Sequence, residues 1–158
     1  MSINFQEQVR SPSWVYLLLG LFLGLNSAIA TGIFIVGIIN EPIFQGLQAY
    51  IFYLSFFGSA IICFYLLVYF TIVKIILEKD NLVISTRKKS KKIHLDSVTK
   101  VLNFTNETNY RGASKFLALF CTKAIIVSYK KNDKDFYVII STNNPDELIK
   151  KIKETINV

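Results

Sequence analysis

Two stretches of this chain, Trp14 to Ile39 and Ile43 to Val73, hold no charged side chain. A bilayer core of about 30 Å takes roughly 20 apolar helical residues, so each stretch is long enough to cross it. The sequence therefore predicts two membrane spans, at about 14–39 and 47–73. A soluble enzyme of this size is excluded as the reading, because it would have to bury both stretches. What remains is a cytoplasmic arm at 1–13, a helical hairpin at 14–76 and a folded domain at 77–158. The last is small for one core but sufficient for one.

Charge orients this arrangement. Residues 77–158 carry sixteen Lys or Arg against nine Asp or Glu, which is the whole net charge of +7. Glu7 and Arg10 cancel in the arm, and the Asn40–Pro42 turn has only Glu41. The positive-inside rule then predicts a multi-pass cell-membrane protein with both termini cytoplasmic. The small-residue triplet Ala28-Ile29-Ala30 resembles a signal-peptide cleavage site. The apolar run, however, continues for nine residues beyond it, too long for a signal-peptide core. The sequons starting at Asn103 and Asn106 carry no meaning on a cytosolic face.

Small residues recur every four positions in both spans. Gly20, Gly24, Ala28 and Gly32 form one stripe; Ser55, Ser59 and Cys63 form the other. In an antiparallel hairpin these stripes fall in register, pairing Gly24 with Cys63, Ala28 with Ser59 and Gly32 with Ser55. Small faces let membrane helices approach closely, so the stripes are expected to form the helix–helix seam. A second copy of the chain is the other surface they could meet. Asn26 is the one strongly polar side chain near mid-span, and a backbone carbonyl can satisfy it. No ionisable side chain lies in either span, so a proton relay or ion-coupled path lacks its chemistry.

The tail alternates with period two. Strands are expected at 81–86, 92–95, 98–104, 116–122, 124–130 and 136–142, with Leu82, Ile84, Ile93 and Leu95 facing inward. Lys131-Asn132-Asp133 reads as a hairpin turn. The period then changes. Asn144 is placed to cap a helix beginning with Pro145, with Asp146 and Glu147 in its first turn and Leu148, Ile149, Ile152 and Ile156 on one face. The loop 106–114 fits no element.

Six or seven antiparallel strands closed by a helix is a pleckstrin-homology arrangement. With two N-terminal spans, the segment Leu77 to Ile84 and then Lys92-Ile93-His94-Leu95-Asp96-Ser97-Val98, the chain resembles bacterial membrane proteins with a pleckstrin-homology-like (PH-like) domain. That resemblance covers about residues 75–158 and the layout of the spans. It implies an α+β membrane protein whose role is non-enzymatic, a binding or scaffold module for a protein, a peptide or the lipid surface. Two alternatives stay open: self-immunity against a membrane-active bacteriocin, and a small accessory subunit of a membrane transporter complex.

Arg87, Lys88, Lys89, Lys91 and Lys92 form the densest charge run, at a strand–strand turn. Basic residues near an anionic leaflet gain about 1 kcal/mol each, so this turn is the candidate contact with anionic lipid headgroups. A solvated hairpin tip is the simpler alternative. No aromatics interleave with the run, so nucleic acid is not expected as a partner. His94 is the only histidine and is expected on the surface, and no catalytic or cofactor-binding motif occurs. Cys63 and Cys121 lack a metal-binding spacing and are expected to be free.

Overall fold

The computed structural model describes residues 3–40, 43–105, 110 and 112–156. Glu41 and Pro42 of the predicted turn, and 106–109 and 111 of the unassigned loop, lie outside them. The chain divides into two units: Ser13–Val68, and Met1–Pro12 together with Tyr69–Val158.

The first unit holds α1 (Ser13–Ile39) and α2 (Gly46–Tyr69), both long and apolar enough to cross a membrane. Few of their side chains are covered: Val15, Ala30 and Ala60 are the buried residues of the two helices. Leu17, Leu54 and Ile61 are each more than 60% exposed. Polar groups are satisfied locally. Asn26 Nδ2 donates to the Phe22 carbonyl at 2.8 Å, and Ser55 Oγ to the Ile51 carbonyl at 2.7 Å.

The expected seam is corrected here. Gly20, Gly24, Ala28, Gly32 and Ser55 are exposed, and a Cβ built on any of the three glycines would meet nothing within 4 Å. Ser59 and Cys63 are only partly covered. The buried positions of the helices lie off these stripes, at Val15, Ala30 and Ala60. The Phe34 and Tyr53 rings meet edge-on with centroids 6.2 Å apart. Rings of that size hold two backbones farther apart than a glycine seam does.

The second unit is a pair of four-stranded sheets and a helix. The first sheet is an antiparallel meander of β1 (Ile3–Arg10), β2 (Ile72–Glu78), β3 (Asn81–Ser85) and β4 (Ser90–His94). A single 3-10 turn at Leu95–Ser97 leads to the second sheet. It contains β5 (Val98–Asn103), β6 (Ser114–Phe116), β7 (Ala124–Lys131) and β8 (Lys134–Ser141), in the order β5-β7-β8-β6. Helix α3 (Pro145–Ile156) follows.

Two domain boundaries therefore move. The arm at 1–13 is mostly strand β1, which pairs with β2 from Ile3↔Glu78 to Arg10↔Ile72. The residues 72–76, expected at the end of the hairpin, belong to β2. So the two apolar helices are inserted between neighbouring strands of one sheet. At the point of insertion the Ser11 amide donates to the Thr71 carbonyl at 2.8 Å, and both residues are buried.

Period-two patterning builds the core. Val73, Ile75 and Leu77 of β2 point inward, opposite Leu82 and Ile84 of β3 and Ile93 of β4. They face Ile125, Val127, Val138 and Ile140 of the second sheet, and Leu148 and Ile152 of α3 join the same cluster. Each such side chain contributes about 1.5–3 kcal/mol by leaving water. The outer face of the second sheet carries its own small cluster, in which Phe104, Tyr110 and Tyr137 pack against Ile126 and Ile139.

Candidate functional site

The basic run sits where the sequence placed it, at the β3–β4 turn. The Thr86 amide donates to the Lys89 carbonyl at 2.8 Å and the Lys89 amide to Thr86 Oγ1 at 3.3 Å, leaving Arg87 and Lys88 at the tip. Strand alternation then divides the five predicted cations among different surroundings. Lys89 Nζ lies 4.5 Å from the centre of the Phe116 ring, and Lys91 Nζ 5.0 Å from that of Tyr129. Lys91 also donates to Ser114 Oγ at 3.1 Å. Arg87 lines a different, smaller cavity with Gln8, Ile72 and Lys74, and Lys92 is exposed.

Of the five, only Lys88 and Lys89 border a half-open cavity of about 580 Å³. That volume is in the range of small-molecule sites. Its other walls come from a segment read from sequence as strand 116–122. The segment is strand only as far as Phe116. Beyond it, three amides find partners outside a ladder: Ala118 N–H donates to Ser141 Oγ at 3.1 Å, Leu119 N–H to the Phe70 carbonyl at 2.8 Å and Cys121 N–H to the Ala118 carbonyl at 3.2 Å. The chain turns at Phe120, whose φ of +56° is a left-handed conformation uncommon for a bulky residue. The Phe120 ring is 61% exposed, and Leu117 and Phe70 are each 37% exposed.

The cavity thus has two kinds of wall. Lys88, Lys89 and Lys115 supply positive charge, and among the described residues no carboxylate or imidazole lines it. Phe70, Leu117 and Phe120 supply apolar surface to the same cavity. The Lys89 ammonium is held below the usual lysine range by partial desolvation, then by Lys91 and Lys88 beside it. Sequence reading found the two lysines of the turn and missed Lys115 and the apolar wall. The exposed aromatic at Phe120 was the available signal, hidden by a pattern that mimics a strand.

The remaining candidates stand apart. His94 is exposed, with Nδ1 3.6 Å from Asp96 Oδ2. Cys63 and Cys121 are free and lie in different units. Among the described residues no three His, Cys, Asp or Glu side chains group to hold a metal ion. Compared with protein-family models, curated proteins and solved structures, the chain has no match.

Proposed function

We propose that this chain is a non-enzymatic integral membrane protein that presents a PH-like binding module at the bilayer surface, with both termini cytoplasmic. The observation that carries the reading is the insertion of both apolar helices between β1 and β2, neighbours in one sheet. A folded unit that the chain leaves and re-enters between paired strands stands on one side of a membrane, so the excursion crosses an even number of times. Two helices satisfy that. Their exposed leucines and isoleucines favour lipid over water as the surroundings, because a soluble monomer rarely leaves so large an apolar surface bare. The excess of Lys and Arg in the tail selects the cytoplasmic side.

A meander of four strands, a three-stranded antiparallel set of β5, β7 and β8, and a closing helix support the PH-like assignment. Strand β6 is an addition to that pattern, pairing in parallel with β8. The cavity bordered by Lys88, Lys89 and Lys115 supports binding over catalysis, since among the described residues that line it no carboxylate or imidazole stands beside the ammonium groups for proton transfer. The test is a full-length chain with epitope tags at both ends, expressed in a bacterial host. The protein should resist alkaline carbonate extraction, and both tags should stay protected from protease outside spheroplasts. Release by carbonate, or cleavage of either tag alone, contradicts the reading.

A further inference from the structure

Four strands end the two sheets, and three of these edges are blunted. β4 and β6 are bridged by Lys91 Nζ on Ser114 Oγ at 3.1 Å, and β6 is only three residues long. β5 has α3 alongside, tied through Asn103 Nδ2 and Asp146 Oδ1 at 3.3 Å. The fourth edge, β1, is eight residues long, and among the described elements only β2 packs along it. The ladder fixes which of its backbone groups are bare. The Ser11 amide on the Thr71 carbonyl makes that pair a hydrogen-bonded one, and the register from Arg10↔Ile72 to Phe5↔Leu77 is unbroken. Hydrogen-bonded pairs alternate along antiparallel strands. Val9, Glu7 and Phe5 therefore turn their N–H and C=O groups to β2, and Arg10, Gln8 and Gln6 turn theirs away. These three residues are exposed, and among the described residues no bond meets their outward groups.

Such an edge is a template for one more strand. The side chains beside it say of what kind. Arg10 borders a shallow cavity of about 380 Å³ with Lys123, Thr122, Thr142 and Asn143. Arg10 and Lys123 are exposed, and among the described residues neither is in an ion pair and no carboxylate lines the cavity. Glu7, the carboxylate of β1, is already held by Thr142 Oγ1 and the Asn143 amide. Antiparallel pairing of two β1 edges about Gln8 would set Gln6 opposite Arg10 and leave the cations unmatched. An acidic side chain on an incoming strand matches them. We infer that the free edge of β1 takes an extended acidic peptide segment of a partner protein as a further strand of the first sheet, with an Asp or Glu of that segment beside Arg10 and Lys123. The inference gives the binding module proposed above a class of partner; it rests on that part of the reading and not on the bilayer crossing.

The probe is a displayed library of random ten-residue peptides, selected on the full-length chain in mild detergent and then synthesised. Selected peptides should be enriched in Asp and Glu and hold a stretch without proline, which a ladder strand requires. Saturating peptide should slow amide exchange at Gln6, Gln8 and Arg10 about tenfold and leave β5 unchanged. Gln8→Pro deletes an amide that faces away from β2, as an edge strand tolerates, and should weaken binding about tenfold. R10E/K123E leaves the backbone groups in place. It should lose the acidic peptide and bind the same peptide with its acidic residues changed to lysine, a rescue that misfolding does not give. An empty selection, enrichment of neutral or basic peptides, protection on β5 in place of β1, full binding by Gln8→Pro, or no rescue in the charge swap would overturn the inference. So would a dimer of the parent, seen by native mass spectrometry, that Gln8→Pro splits, because it puts a second copy on the edge. Carbonate extraction of the same chain keeps the two readings distinct. A chain that stays in the membrane and binds no peptide refutes the edge assignment alone; a chain that is released and still binds peptide refutes the membrane reading alone.

Discussion

The two units arrange similar side chains in opposite ways. In α1 and α2, leucine, isoleucine and phenylalanine point outward, and the few buried positions include two alanines, Ala30 and Ala60. In the β-unit, Ile75, Leu77, Leu82, Ile84, Ile125 and Ile140 are fully buried, while lysines cover the outside. Burial is driven by the solvent outside. Water requires the second arrangement, and hydrocarbon permits the first, because lipid tails give helices no hydrophobic reason to associate. The same residue type is therefore structural in one unit and, on the proposed reading, an anchor in the other, and substitutions should divide along that line.

The largest separation is expected from a single truncation or charge placed in each unit. Ile75→Ala should cost the β-unit about 2–5 kcal/mol, a large part of the stability of a small domain. Denaturant unfolding of the detergent-solubilised chain measures this. Leu54→Asp, at a side chain 77% exposed, should leave that unfolding unchanged but weaken membrane insertion by about 2.5–3.5 kcal/mol, read from the fraction resisting carbonate. An unfolding shift from Leu54→Asp would mean that the two units are not separable in this way.

Smaller effects sharpen how the β-unit is tied together. Glu7 on β1 accepts from Thr142 Oγ1 at 2.7 Å and from the Asn143 amide at 2.6 Å. Glu7→Ala removes both and should cost about 1–3 kcal/mol, loosening the start of α3 as seen by amide exchange at Leu148. Asn144→Ala removes the Asn144 Nδ2 to Glu147 Oε2 hydrogen bond at the start of α3 and should cost about 1 kcal/mol in the same unfolding measurement. The smallest effect belongs to the hairpin. Gly24→Leu and Ala28→Leu extend into open space rather than a seam, so protease resistance in membranes should not change. A looser hairpin would restore the small-residue stripe as the contact face.

How far the sequence could be read followed how local each interaction is. The start of α3 is carried by adjacent residues: Asn144 Nδ2 donates to Glu147 Oε2 at 3.3 Å, and the Leu148 amide makes the first helical bond, to the Asn144 carbonyl at 3.1 Å. The β7–β8 turn is equally local, with Asn132 and Asp133 at φ +51° and +59°, as a tight hairpin requires. Strand β1 was illegible for the opposite reason. Its inward alternation of Phe5 and Val9 is broken by Glu7, and every partner of that carboxylate lies more than 130 residues away. Half the cavity was legible as a lysine run. The other half depends on amides of 118 and 119 being met by Ser141 and Phe70, which no local pattern records.

The pairing of β1 with β2 across the inserted helices is the central claim, and a cysteine pair tests it directly. Gln8 and Lys74 are exposed register partners on those strands. Opposite residues of antiparallel strands lie within disulfide range. In a full-length chain with Cys63 and Cys121 replaced by serine, Gln8→Cys and Lys74→Cys should cross-link within one chain when membranes are oxidised mildly. The predicted result is a faster-migrating, reducible monomer band. Two thiols that stay free and label from opposite faces of the membrane would contradict the account.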